Sequence, residues 1–179
     1  MSELRTNRIV PRDGLPAGSS GGIIQIRQNV ITSRYTENVP AASSGPYGNI
    51  VATQTITPTR ADSKIFIMMS LNIGAANDGN VAVTLHRDGS VISGAIGASV
   101  GSRTAVTATD FTSSTSRQTQ ISLHYLDSPA STSELTYGFK FSHAENGSMN
   151  VYLNRDNSFG GTSHTQVPIS TITLMEVSG

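Results

Sequence analysis

The chain has 179 residues, of which 36% are hydrophobic and 13% charged, with twelve basic and twelve acidic side chains and no cysteine. That length holds one domain with a sizeable core, while a net charge of zero removes the global electrostatic support that nonspecific binding to nucleic acid or an anionic membrane needs. The absence of cysteine excludes disulfides, thiolate metal sites and a Cys nucleophile. No window approaches the roughly 18 apolar residues of a membrane span, so no membrane insertion is expected.

The first 22 residues, MSELRTNRIVPRDGLPAGSSGG, read as an extended docking arm, with residues 23–179 as the body. The arm holds five large apolar residues against two prolines and four glycines, too little apolar surface to offset the entropy of ordering itself. Arg5, Arg8 and Arg12, with Ile9, Val10 and Leu15, are its candidate docking residues, the arginines pairing with acidic groups on a scaffold. The amino terminus lacks the continuous apolar core of a secretory signal, so synthesis in the cytoplasm is expected. The Asn146-Gly147-Ser148 sequon then reads as a turn.

The body reads as all-β. Ile23 to Val30 opens the first strand, and Val39 to Gly48 is a linker dense in Pro, Gly and Ser. Asn49 to Thr57 alternates and is stopped by Pro58. Lys64 to Ile73 is apolar on both faces in its first half, which marks Ile65, Phe66, Ile67, Met68 and Met69 as a central strand or a subunit contact. Asn77 to Asn80 is a turn, after which Val81, Val83 and Leu85 line one face. The Asp88-Gly89 pair predicts a two-residue hairpin with a partner strand over Val91 to Ile96. Residues 97–117 hold one weak strand around Arg103 to Thr109. Gln120 to Leu126 is a strand ended by Asp127-Ser128-Pro129. Leu135, Tyr137, Phe139 and Phe141 alternate as the clearest half-buried strand. Asn146-Gly147 is a second hairpin signal leading into Met149 to Asn154, and Ile169 to Val177 is the last strand. Eight to ten short strands without a helical period, by our rough count, suit a jelly-roll-like antiparallel β-sandwich.

Few constellations carry chemistry. Gly97-Ala98-Ser99-Val100-Gly101 matches the G-x-S-x-G nucleophile pattern, with Asp127 and His143 or His164 following in order, but no helix follows the serine as that mechanism requires. The four histidines, His86, His124, His143 and His164, show no metal-ligand spacing, and His86 and His124 are expected opposite the apolar face. Asn154, Asp156 and Ser158 have the look of a calcium loop, except that the glycine falls one place late and no acidic residue closes it, so a polar loop is expected. Tyr125 and Tyr137 share faces with core residues, whereas Tyr152 is the surface candidate. No catalytic residue, metal ligand or cofactor is assigned.

The opening SELRTNRIVPRDGLPAGSSGGIIQI resembles the amino-terminal arm of small virion structural or tail-fibre proteins of marine tailed bacteriophages, cyanophages among them. The body is similar to the same family in TPTRADSKIFIMMSLNIG, LHRDGS, ISLHYLDSPASTSELTYGFKF, VYLNRD and STITLMEV. This resemblance implies a trimeric head, similar to the tumour-necrosis-factor-like jelly roll, on an arm that attaches to other virion proteins of the tail, collar or capsid. The location implied is the virion. The chain has no shaft or coiled-coil heptads, so it departs from a full-length fibre. The reading is a non-enzymatic tail-fibre or appendage protein for host attachment. The alternatives are a capsid decoration, cement or head-fibre protein and, least favoured, a small esterase or carbohydrate-active enzyme. The loops expected to meet a host glycan or protein carry Asn77, Asp78, Asn80, Arg87, Asp88, Asn146, Tyr152, Asn154, Arg155, Asp156 and Phe159.

Overall fold

The computed structural model describes residues 22–41, 48–113, 115–158 and 166–179. The arm before Gly22, and Tyr47, Phe159 and His164, lie outside the described residues, so the arm docking positions Arg5, Arg8, Ile9, Val10, Arg12 and Leu15 do too. Described in chain order are β1 (Ile23–Ile31), β2 (Tyr35–Val39), β3 (Thr53–Ile56), β4 (Lys64–Ala75), β5 (Gly79–Arg87), β6 (Ser90–Val91), β7 (Ala108–Thr112), β8 (Gln118–Asp127), β9 (Leu135–His143), β10 (Met149–Leu153) and β11 (Ser170–Val177).

These strands form an all-β antiparallel sandwich. The larger sheet runs β1-β11-β4-β10-β2 with β8 on the far side of β4. The long β4 is its backbone: β11 pairs with its first half and β10 with its last residues. The smaller sheet runs β3-β9-β5, with β6 and β7 both paired to β5. The chain crosses between sheets from β3 to β4 to β5, and again from β8 to β9 to β10, which is jelly-roll-like interleaving. Period-two alternation explains the core. Ile65, Ile67, Met69, Leu71 and Ile73 of β4 point inward against Val81, Val83 and Leu85 of β5 and Tyr137, Phe139 and Phe141 of β9.

Several expectations change. β2 falls in a stretch without strong periodicity; it is an edge strand in which Val39 alone is buried. The partner strand expected over Val91 to Ile96 stops after Val91, because Ser93–Ala95 turns into a short 3-10 segment that brings Ile92 and Ala95 into the core. The weak strand lies later, at Ala108–Thr112. Asp88 and Gly89 both have positive φ, +51° and +80°, as a type I′ hairpin needs. Asn146-Gly147 joins β9 of one sheet to β10 of the other, so it makes a sheet-to-sheet crossing and not a hairpin.

Candidate functional site

The antiparallel registers place the loops at two opposite ends. One end carries Asn77 to Asn80 and Asn146-Gly147; there a Cβ on Gly79 would meet the Glu145 carboxylate at 2.4 Å, so the two loops touch. Asn77, Asp78, Asn80 and Asn146 are exposed. The opposite end carries the Asp88-Gly89 turn, pinned to β9 by reciprocal bonds with Thr136, each 2.8 Å. Gly22, which ends the arm, enters β1 at this second end, and its carbonyl accepts from the Ser178 amide. The candidate loops therefore do not form one surface.

Arg87, expected in an exposed loop, is the last residue of β5, and Asp127, expected at a strand end, is the last residue of β8. Both point into the sandwich mouth, where Arg87 Nη1 donates to Asp127 Oδ2 at 2.5 Å and the Tyr137 hydroxyl donates to the same oxygen at 2.7 Å. The group ties β8 of one sheet to β5 and β9 of the other. Burial first, and then the Asp127 carboxylate, push the Tyr137 phenol far above its ordinary pKa. A cleft of about 310 Å³ opens beside them, lined also by Ser90, Ser93, Tyr125 and Ser128. Its cation and carboxylate are already committed to one another, which leaves no spare acid–base pair.

Other expected positions move inward. Tyr152 is buried at 4% exposure, its hydroxyl donating to Asn157 Oδ1 at 2.5 Å and its ring lying 4.6 Å beneath the Arg155 guanidinium. Asn154 and Asp156 are buried as well. The reason is the same for all three: the segment after β10 folds back over the outer face of the larger sheet. His86 is also buried, with Nδ1 at 3.1 Å from the Gly89 carbonyl. Burial, with help from the Lys140 charge, holds its imidazole below the usual histidine pKa.

The nucleophile pattern is not assembled from the described residues. Ser99 is exposed in an irregular segment. Asp127 is bonded to Arg87 and Tyr137, and the His143 ring is used twice, toward the Val39 carbonyl and by the Glu145 amide. No cluster of three His, Cys, Asp or Glu able to hold a metal occurs among the described residues.

The most unusual surface is the outer face of the larger sheet. Its registers align Leu126, Phe66, Met175 and Ile26 in one row across β8, β4, β11 and β1. The next rows are His124, Met68, Thr173 and Gln28, then Ser122, Ser70, Thr171 and Val30. None of the twelve is Asp, Glu, Lys or Arg. Of the five strand residues singled out as trimer or core contacts, Ile65, Ile67 and Met69 belong to the core, whereas Phe66 and Met68 lie on this face. β1 is inverted: Ile26 and Val30 point outward, 52% and 47% exposed. Its polar Gln25 and Asn29 instead point toward the smaller sheet and donate to the Thr57 and Thr53 carbonyls. A strand normally sends its apolar set to the core. With strands about 4.8 Å apart and same-face rows about 6.8 Å apart, this flat measures roughly 400 Å².

No protein-family model matches the chain, and no curated protein matches it. Among solved structures it is similar to VP2 of infectious bursal disease virus in a subviral particle, at 12% identity and TM-score 0.37, over 98% of this chain and 43% of that one. It is also similar to dimeric latent PorU from Porphyromonas gingivalis, at 14% identity and TM-score 0.33, over 90% of this chain and 14% of that one. The chain thus spans less than half the length of either, and likenesses this distant carry no functional argument.

Proposed function

We propose that the chain is a non-enzymatic structural subunit of a bacteriophage virion, a tail appendage whose β head trimerises through the outer face of the larger sheet. The observation that carries this reading is the inverted β1 strand together with the apolar row Leu126–Phe66–Met175–Ile26. Six of the twelve residues on this flat are apolar and none is Asp, Glu, Lys or Arg, and its roughly 400 Å² supplies about half of the 800 Å² that each partner gives to a standard interface. Copies of the same chain arranged around a three-fold axis suit it, because each contact is then heterologous and these twelve residues bring no charge to repel the neighbouring copy. The sequence resemblance to phage appendage proteins supports the virion setting.

The two ends divide the labour. The arm leaves the end that carries the Asp88-Gly89 turn and anchors to a tail, collar or capsid protein. The opposite end presents Asn77 to Asn80 and Asn146-Gly147 to the host surface, with weak contacts multiplied by the three heads. Excess purified chain is expected to slow phage adsorption, and deletion of residues 1–21 to leave the head assembled but absent from particles. Unaltered adsorption, with shells that weaken when the arm is deleted, would overturn the attachment role in favour of capsid decoration.

A further inference from the structure

Residues of β5 alternate between the core and the outer face of the smaller sheet. Val81, Val83 and Leu85 face the core, so Asn80, Ala82 and Thr84 face outward. The antiparallel registers set Phe111 of β7 directly beside Asn80, and Thr109 of β7 and Ser142 of β9 on either side of Ala82. Thr84 is fully buried although it faces outward. The chain returning to β7 is anchored there, with Thr107 donating its amide to the Val83 carbonyl and accepting from the Leu85 amide. Over the rows of Asn80 and Ala82 there remains a groove of about 480 Å³, floored by Asn80, Ala82, Thr109 and Ser142.

One wall of the groove is the turn at 100–103. Gly101 has φ +59° there, and the Arg103 amide donates to the Val100 carbonyl at 3.2 Å. The turn sets Arg103 at the groove, exposed and without an ion pair among the described residues. The Asn80 side-chain amide and the Ser142 hydroxyl also make no hydrogen bond among the described residues. No Asp or Glu lines the groove. Asp110, bonded to the Thr119 hydroxyl, and the Glu145 carboxylate, against Gly79, lie on the other side of the sheet. Phe111 is 55% exposed, and directly opposed residues have Cβ atoms about 5 Å apart, so its ring stands next to Asn80.

We propose that this groove binds an acidic saccharide, a sugar that carries a carboxylate. The Arg103 guanidinium is a planar fork that fits a carboxylate. The uncommitted Asn80 amide and Ser142 hydroxyl suit sugar hydroxyls, which both donate and accept. The electron-rich face of Phe111 takes the C–H side of a sugar ring. The volume falls within the roughly 300–1,000 Å³ of small-ligand sites. The groove opens at the end that carries Asn77 to Asn80. Its role at the host surface rests on the attachment reading above, whereas binding itself does not.

The test titrates the full chain, followed by amide NMR, with oligosaccharides of galacturonate, glucuronate, mannuronate and sialate. Their methyl esters, which keep the rings and lose the charge, are titrated in parallel. At least one acid is expected to give saturable shifts at millimolar concentration or below, centred on Asn80, Thr109, Phe111 and Ser142. Its ester should bind about tenfold more weakly. Arg103→Gln should weaken the acid about tenfold, to the level of the ester. Phe111→Ala should weaken acid and ester alike, by about fivefold. Both side chains are exposed, so both variants should keep the parent Tm. No saturable shift with any acid up to about 10 mM, or affinity unchanged in both variants, would overturn the proposal. An ester that binds as tightly as its acid would overturn the carboxylate assignment. Saturable binding by a chain whose excess leaves phage adsorption unaltered would uphold the groove and remove the attachment role. Excess Arg103→Gln chain that slows adsorption as well as the parent would uphold attachment and overturn the groove as its site.

Discussion

At the scale of single residues, the sandwich mouth rests on one carboxylate. Asp127 takes both the Arg87 guanidinium and the Tyr137 hydroxyl. Removing the phenol hydroxyl keeps the ring's packing but takes one donor from a buried charge. Tyr137→Phe is therefore expected to lower unfolding free energy by about 1–2 kcal/mol with an unchanged urea slope. Two other buried groups set the acid side of the stability profile. His86 has a folded pKa below the ordinary 6.5, so the unfolded chain takes up its proton first, and stability falls as pH drops below about 6.5 through the folded value. Burial alone would raise the Glu176 carboxyl, but bonds from Gln25 and Thr59 outweigh it and hold the group below its ordinary 4.5. Its contribution is present above that value and disappears as pH falls through the lowered one. Thermal midpoints between pH 7 and pH 5 should be flatter in His86→Gln than in the parent chain, and an identical slope would exclude His86 as the source. These roles were poorly legible in the sequence. Asp127 stands in a stretch, Asp127-Ser128-Pro129, whose composition fully explains a strand end. Nothing local reveals that Arg87 and Tyr137, 40 and 10 residues away in sequence, meet it across the sandwich.

At the scale of elements, alternation made most strands readable, since β4, β5, β8, β9 and β11 each bury one full face. What alternation could not show was the direction in which a face points. β1 alternates, yet its apolar side looks outward. Tyr152, opposite Val151 and Leu153, reads as exposed, but a returning segment covers it. Asn146-Gly147 carries the residues of a hairpin while linking two sheets, because turn chemistry is local and sheet membership is not. The glycines separate two costs. Gly89, whose Cβ would meet nothing, has only its positive φ to lose, so Gly89→Ala is expected to cost about 1 kcal/mol. Gly74→Ala would push a methyl into the Arg155 backbone, and the cost expected is about 1–3 kcal/mol with release of the 154–158 segment. Urea titration of the two variants, with proteolysis of the released segment as a second readout, checks this order.

At the scale of the whole molecule, the end where Gly22 enters β1 and the end that carries Asn77 to Asn80 oppose one another, and on the outer face of the larger sheet Ile26, Val30, Met68 and Leu126 remain exposed among the described residues. The low charge of the chain, neutral about an equal count of acids and bases, is consistent with a subunit that packs against copies of itself. Phe66 and Met68 were visible in the sequence as part of a strand apolar on both sides; the structure separates the three residues that build the core from the two on the outer face. Met68 lies near the middle of that face at 43% exposure, so a charge there leaves the isolated fold intact and falls where copies would meet. Sedimentation equilibrium of the parent chain and of Met68→Glu, at micromolar concentration and with far-ultraviolet dichroism recorded on the same samples, tests the central claim most directly. The account predicts a trimer for the parent and a monomer with an unchanged β spectrum for the variant. A parent chain that sediments as a monomer with its β spectrum intact, or a variant that remains trimeric, would contradict it.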